Sequence, residues 1–382
     1  MTMAHDLARA DASSPFAAVE ILYDVEAARP VLTSLAAFGG AYQSPAFLDA
    51  WARAFKARLV FVVARDGAGD PAAALPLHVF RRGPLTVARF AGDGWANYHF
   101  GLFREPALWR PRDVRTLLRA AGRTAGVDLY AFMQAPPAWE GEANPMLALP
   151  GTPSPSPAMA TRLGGAHADW LDAHFSPATQ KKLRKKLKKL EVFGHVAHRR
   201  AGDAGEVKRF LDAMIAHKAA QAQARGEPDP LAPARVRDLL ARLAGGASPT
   251  MEMHALVAGE RVVAVMGVLA SGRRLSGLVI SHDGDPAVAA ATPGVQLFCE
   301  VVRDARARGF ETMDLGVGEA RYKRETCEVE EPLRDLALGV SPLGRVAAPL
   351  YLGLRAAMAA IKRRPALHAR ARTLAAALRR RR

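Results

Sequence analysis

The stretch that runs from Leu275-Ser-Gly-Leu-Val-Ile-Ser281 through Ala291-Thr-Pro-Gly294 to Phe310-Glu-Thr-Met-Asp-Leu315 reads as strand, loop, helix, strand. The first run is apolar and of strand length. Pro293 suits a first helical turn, where a missing N–H costs nothing, and the helix it opens is expected to reach about 308. Two more strands precede it, at 252–257 and 261–270, joined by the tight turn Ala258-Gly-Glu260. The same order occurs earlier in the chain. Leu59-Val-Phe-Val-Val-Ala-Arg65 and Ala73-Ala-Leu-Pro-Leu-His-Val-Phe80 flank a Gly/Asp turn, and a third short strand follows at 85–90. A helix at 111–125 then leads to Val127-Asp-Leu-Tyr-Ala-Phe-Met133. The halves, about 59–133 and 252–315, share an order of elements without enough common residues to be a sequence repeat. The expected fold class is α/β (α+β), a duplicated unit with two mixed, mostly antiparallel sheets flanked by helices.

Outward from these halves, residues 1–19 are small and polar and are expected to be disordered. The first lobe is expected over 20–135. It includes a helix that Ser44 caps and Pro45 opens, with Phe47, Trp51 and Phe55 repeating every four residues. Seven prolines with Gly and Ser between them suggest a linker, or an irregular crossing between the two halves, at 136–158. The second lobe is expected over 159–340, opening with helices at 177–192, about 204–224 and 233–244, and a basic helical tail over 341–382.

Composition narrows the class. Of 382 residues, 50% are hydrophobic and 24% charged, which excludes a disordered, collagen-like or coiled-coil chain. Two cysteines, Cys299 and Cys327, cannot build a disulfide framework or a four-cysteine zinc site. With no cationic region before an apolar run at the start, a cytoplasmic location is expected. The net charge of +16 is concentrated in two places. Nine Lys/Arg stand against one Glu at 176–200, and eleven Lys/Arg against no acid at 341–382. With aromatics at only 7% and few in either basic segment, sequence-specific nucleic-acid binding is not expected.

The order of elements is that of the GNAT acyltransferase superfamily, and particular strings sharpen the resemblance. Phe175-Ser-Pro-Ala-Thr-Gln-Lys-Lys-Leu-Arg-Lys-Lys-Leu-Lys-Lys-Leu-Glu-Val-Phe-Gly194 is similar to the entry helix of the CelD/BcsL group. These are acetyltransferases with a BioF2-like domain, linked by name to bacterial cellulose biosynthesis. Thr292-Pro-Gly294, Gly309-Phe-Glu-Thr-Met-Asp-Leu-Gly316 and Tyr322-Lys323 resemble the rest of that signature, and Gln43-Ser-Pro-Ala-Phe-Leu with Leu75-Pro-Leu77 its degenerate first half. The resemblance implies two GNAT-like lobes, of which only the second is catalytic. It implies direct transfer from acetyl-CoA or another acyl-CoA to an N or O acceptor. By the same resemblance the acceptor is expected to be a small molecule or glycan, in exopolysaccharide or cell-envelope biosynthesis. Two rivals remain open: a Fem-like aminoacyltransferase using charged tRNA, and a non-catalytic GNAT-like scaffold at a membrane.

By the same resemblance, Thr292, Pro293, Gly294, Val295 and Gln296 are the place for the coenzyme A pyrophosphate. A helix start attracts anions through unpartnered amides and the macrodipole. The alternative is an ordinary Pro-capped helix. The superfamily's usual Gln/Arg-x-x-Gly-x-Gly/Ala loop is absent. At the end of the next strand, Asp314 can orient or deprotonate an acceptor, Tyr322 can protonate a departing thiolate, and Lys323 can bind a phosphate or carboxylate. The alternative is a Gly-rich turn with an Asp cap and a surface Lys.

Other groups are weaker candidates. Ser281-His-Asp283 are merely adjacent, His195 and His198 lack a third ligand, Glu330-Glu331 lie beside Pro332 as in a loop, and nothing marks Cys327 as a nucleophile. No metal is expected. Leu183, Leu187 and Leu190 give the first basic segment an apolar stripe; its cations are either a solvated face or a site for an anionic partner. Leu367, Ala371, Leu374 and Leu378 give the tail another, so 341–382 is expected to make peripheral contact with anionic membrane, at the inner membrane face; the alternative is a helix packed on the body with its arginines in water.

Overall fold

The computed structural model describes residues 3–6, 14–164, 170–246, 249–318 and 320–364. Among these, strands form a nine-stranded sheet, a seven-stranded sheet and a two-stranded hairpin. The chain divides into two compact units, residues 1–45, 58–158 and 331–382 in one, and 46–57 with 159–330 in the other.

The first unit is built on the larger sheet. Its strands run in the order Met3–Asp6, Ala18–Leu22, Leu59–Arg65, Pro71–Arg82, Leu85–Phe90, Leu129–Ala135, Arg334–Gly339 and Gly151–Pro153, and the ninth, Leu102–Phe103, pairs with Pro71–Arg82 beside this path. Most neighbours are antiparallel; Leu85–Phe90 and Leu129–Ala135 are parallel and pair only at Val87–Leu129 and Ala88–Tyr130. Alternate strand residues such as Val60, Val62, Leu75 and Leu77 meet Val114, Leu117 and Leu118 of the helix Pro111–Ala125 in one core. On the sheet's other face, Val87, Leu129, Ala131 and Ala337 are covered by Ala347, Ala348, Tyr351 and Leu352 of the helix Pro342–Lys362.

In the second unit the order is Val196–Arg200, Met251–Ala258, Arg261–Ser271, Arg274–His282, Thr312–Val317, Ala158–Arg162 and Val329–Glu331. Arg274–His282 and Thr312–Val317 are parallel and pair from Arg274–Thr312 to Ser276–Asp314. Beyond Ser276 the first strand continues to His282 without its partner, so a gap opens between them. A register shift opposite Gly267 and Val268 leaves Leu278 as an extra residue beside that gap. Bulges of this kind re-aim backbone groups. Leu297, Phe298, Val301 and Val302 of the helix Pro293–Ala307 seal the core against Met266, Val268, Leu275 and Met313.

Several expectations are corrected. The N-terminal residues are not all disordered: Met3–Asp6 pairs with Ala18–Leu22, and Phe16 is buried and stacks on Trp109 at 5.4 Å. The segment 136–158 is no linker. Trp139, Met146 and Leu149 between its prolines are buried, and Gly151–Pro153 is an edge strand of the first sheet. The second lobe does not run to 340, because Arg334–Gly339 pairs antiparallel with both Leu129–Ala135 and Gly151–Pro153. Its Asp335, Leu336, Ala337 and Leu338 are all buried, as a central strand requires. Glu330 and Glu331 belong to the strand Val329–Glu331 rather than a loop. The tail is helical over Pro342–Lys362, capped by Ser341, while the stripe Leu367, Ala371, Leu374 and Leu378 lies outside the described residues.

Candidate functional site

The gap between the parallel strands of the second unit opens onto the start of the helix Pro293–Ala307. Its cap residue, Thr292, sits in the left-handed region at φ 53°, ψ 52°. That conformation is costly for a β-branched residue, and such strain is retained where surrounding structure enforces it. In this pose the Thr292 hydroxyl donates to the Ala291 carbonyl at 2.7 Å instead of capping the helix. No acidic residue stands in the first turn. The Val295 and Gln296 amides turn back to the Thr292 carbonyl at 3.1 and 3.2 Å, and Gly294 presents the first amide of the helix. A Cβ on Gly294 would meet nothing closer than Ile280 at 3.8 Å, so the backbone there is open to a ligand.

The equivalent helix of the first unit begins with the same pattern and ends differently. Arg110-Pro-Arg-Asp113 stands where the second unit has Thr292-Pro-Gly-Val295. The Asp113 carboxylate is buried and accepts from the Arg110 amide at 3.0 Å and its guanidinium at 2.9 Å. A carboxylate there already fills the role of an anion at the helix start. The first unit therefore has the parallel pair with a helix start that a carboxylate already occupies.

Two cavities flank the helix start in the second unit. One, of about 430 Å³, is lined by Lys218, Gln221, Arg225, Ile280, His282 and Thr292–Val295. The other, of about 770 Å³, is lined by Lys182, Lys186 and Glu325 among others. Thr292, Val295 and Tyr322 border both. Burial first, then the charge of Arg225, lowers the Lys218 amine below the ordinary lysine range, with Asp229 opposing. Gln221 donates to the His282 carbonyl at 2.7 Å, tying the helix Ala204–Arg225 to the strand bordering the gap.

Of the residues expected from sequence, Thr292, Pro293, Gly294, Val295 and Tyr322 come together around these cavities. Gln296 is buried and donates to the Leu183 carbonyl at 2.8 Å, bracing the basic helix Pro177–Lys188. Asp314 is fully buried; it accepts from the Gly316 amide at 2.6 Å and from the Ser276 hydroxyl at 3.3 Å. Lys323 is buried as well, and its ammonium donates to the Gly316 and Val317 carbonyls. Burial, and secondarily Cys327, pushes the Tyr322 phenol up to about 12. Burial likewise pushes the Cys327 thiol to about 12, the wrong direction for a nucleophile. Ser281, His282 and Asp283 form no relay: His282 Nδ1 faces the Asp283 carbonyl, and the Asp283 carboxylate is paired with Arg261 at 2.7 Å. Sequence reasoning missed Lys218, Gln221 and Arg225. Their i, i+3, i+7 spacing, a polar seam on a long helix, was the available signal.

His198 meets His254 rather than His195, with Nε2 and Nδ1 3.0 Å apart. Burial, followed by the charge of His254, pushes His198 down to about 4. The unfolded chain therefore takes up this proton below about 6.5 and the folded one only near 4. Stability is complete above pH 6.5 and falls as pH drops through that window. Glu252 acts lower on the scale. Burial works to raise it, but the His254 ring, its Nε2 3.4 Å from the carboxylate, and the hydrogen bonds from Arg308 outweigh burial and hold it at about 2. Its contribution is lost between about 4.5 and 2. Solvent screening at part-buried His198 reduces the first effect to on the order of 1–2 kcal/mol. Thermal melts followed by circular dichroism from pH 7 to 4 should show the decline, and His198→Gln should flatten it. An unchanged slope in that variant would place the titration elsewhere.

The comparisons bear on the fold. Residues 177–324 match the family model of the acetyltransferase (GNAT) domain, so the second unit carries a GNAT-type acyltransferase fold. FemX superposes with a TM-score of 0.60 at 9% identity, covering 85% of this chain and 99% of that one. A conserved protein of unknown function from Bacteroides thetaiotaomicron gives 0.54 at 11%, covering 83% and 99%. L-PGS from Bacillus licheniformis gives 0.50 at 13%, covering 87% and 96%. At these identities the likeness is one of fold. A search of curated proteins finds no match.

Proposed function

We propose that the protein is an acyl-CoA-dependent N- or O-acyltransferase whose second unit binds the donor. The observation that carries this is the contrast between the two helix starts: Asp113 fills one, and the other, at Thr292-Pro-Gly-Val295, is bare and flanked by cations. The amide of Gly294 and the side chains of Lys182, Lys186, Lys218 and Arg225 suit a pyrophosphate and a further phosphate. The donor supplies an activated thioester carbonyl. The acceptor attacks it directly, and the gap beyond Ser276 is where that carbonyl would lie, within reach of backbone re-aimed at the bulge. Tyr322 is the protein group that donates a hydrogen bond to the departing sulfur. In this reading Asp314 and Lys323 shape the strand end that presents Tyr322. The acetyl donor, the CelD/BcsL affiliation and an envelope glycan as acceptor rest on the strings at 175–194, 292–294 and 309–323.

Gly294→Asp tests the donor site. A carboxylate near a helix start favours folding while repelling phosphate. We expect an unchanged or raised Tm and a loss of CoA affinity of at least about tenfold by calorimetry. Unchanged affinity would move the donor elsewhere. A second reading, aminoacyl transfer from charged tRNA, is favoured by the fold likeness to FemX and by the lysines of Pro177–Lys188 along the larger cavity. Thermal shift separates the two, because a ligand at 100 times its Kd stabilises by about 2.7 kcal/mol. Stabilisation by acyl-CoA supports the first reading, stabilisation only by aminoacyl-tRNA the second. Response to neither supports a non-catalytic scaffold.

A further inference from the structure

The helix Pro342–Lys362 is apolar on the side turned away from the protein. Leu343, Val346, Leu350, Leu354, Met358 and Ile361 are all exposed, Leu350 at 69%, Val346 at 60% and Leu354 at 57%. Their spacing of three or four residues aligns them in one stripe about 27 Å long. Among the described residues only two other large hydrophobic side chains, Leu108 and Val192, are exposed to this degree. The opposite side of the helix is already used. Gly344 and Ala359 are buried, Tyr351 and Leu352 pack on the sheet, and Arg355 pairs with buried Asp335. A surface helix normally turns its polar side to water; this one is held down by its inner face and offers an apolar face that no other described residue covers.

Charge decides what can cover it. Exposed Arg345, Arg363 and Arg364 flank the stripe, and residues 341–382 contain eleven Lys/Arg and no Asp or Glu. A second copy would bring an identical cationic helix against the first, and like charges would face each other. Residues 365–382, folded back over the stripe, would add cations to cations. An anionic lipid surface complements both features: acyl chains take the leucines and headgroup phosphates take the arginines. No described helix is long and apolar enough to cross a membrane, so the geometry is that of a helix lying in the interface.

We propose that the outer face of Pro342–Lys362 docks the protein onto anionic bilayers, with the leucine stripe inserted and the flanking arginines on the headgroups. This does not depend on the acyltransferase reading. The test uses full-length protein and vesicles of phosphatidylcholine with or without phosphatidylglycerol. Binding is expected to be at least about tenfold tighter to the anionic vesicles. It should weaken as salt rises from about 0.1 to 1 M, where the Debye length shrinks from ~10 to ~3 Å. Leu350→Glu with Leu354→Glu changes only exposed positions, and should reduce binding at least tenfold while the circular dichroism spectrum is kept. Leu350→Trp should show a blue-shifted emission on anionic vesicles and protection from acrylamide, which adhesion through the charges alone would not produce. Equal recovery on neutral and anionic vesicles would overturn the proposal, as would unchanged binding by the double glutamate variant. A dimer in light scattering that the glutamates dissociate, without vesicle binding, would assign the face to a second copy instead.

Discussion

Tyr322→Phe is expected to lower kcat by about 100-fold while KM for the acyl donor changes little. The phenol borders both cavities, and burial holds it near 12, so it stays protonated throughout the physiological range. In the proposed reaction a group so reluctant to lose its proton would act by hydrogen-bonding the charge that grows on the leaving sulfur, an interaction stronger in the transition state than in the ground state. Removing only the hydroxyl should therefore leave CoA binding intact and slow the chemical step. The measurement is steady-state turnover with a fixed acceptor, alongside CoA affinity by calorimetry. Near-full turnover would reduce Tyr322 to a wall of the cavity. A rise in KM at constant kcat would make it a binding group.

Asp335→Ala should cost the first unit about 3–5 kcal/mol, the range for breaking a buried ion pair by removing one partner. Asp335 is fully buried in the strand Arg334–Gly339, and its carboxylate accepts from the Gln134 amide at 3.0 Å, the Ser154 hydroxyl and the Arg355 guanidinium. Gln134 holds a positive φ of 56°, so one of these bonds secures a strained backbone. Alanine would leave the Arg355 charge and the Gln134 amide without this acceptor in a dry setting. Asp335→Asn keeps the size and an acceptor oxygen, and should lose distinctly less. Urea unfolding of the three proteins gives the order. Equal midpoints for wild type and Asp335→Ala would mean that water replaces the carboxylate.

The sequence was most legible where local chemistry and tertiary context agree. Pro111 and Pro293 open helices, and apolar runs such as Leu59-Val-Phe-Val-Val-Ala-Arg65 become buried strands, because each is specified within a few residues. Arg334–Gly339 is different. The sequence reads it only as the end of the second lobe, no property of its six residues says which of two sheets will take it, and the answer depends on partners about 200 positions earlier. The site divides in the same way. The helix start at Thr292–Val295 is legible from a proline and a glycine after a strand, and its expected part in a donor site comes from the resemblance to GNAT enzymes. Lys218 and Arg225 belong to a helix whose sequence points as plausibly to solvent, and only the packing of Ala204–Arg225 beside Ile280 and His282 brings them to the cavity. Asp314 is legible as an acid at a strand end; its depth, where Gly316 and Ser276 donate to the carboxylate, depends on the parallel neighbour Arg274–His282.

The late strand also reverses the order in which the chain can mature. A ribosome that has released residues up to 330 has produced every segment of the second unit, including 46–57 and 159–330. The first unit, encoded earlier, still has an open edge at Leu129–Ala135, because Arg334–Gly339 has not emerged. Exposed strand edges in waiting segments invite wrong pairing, and their closure must span a loop longer than the whole second unit. Vectorial synthesis, which ordinarily lets the N-terminal domain fold first, here leaves it waiting for the C-terminal one. A nascent-chain protease assay should accordingly find the second unit resistant at shorter chain lengths than the first, and separate expression of residues 1–158 should yield an aggregating product.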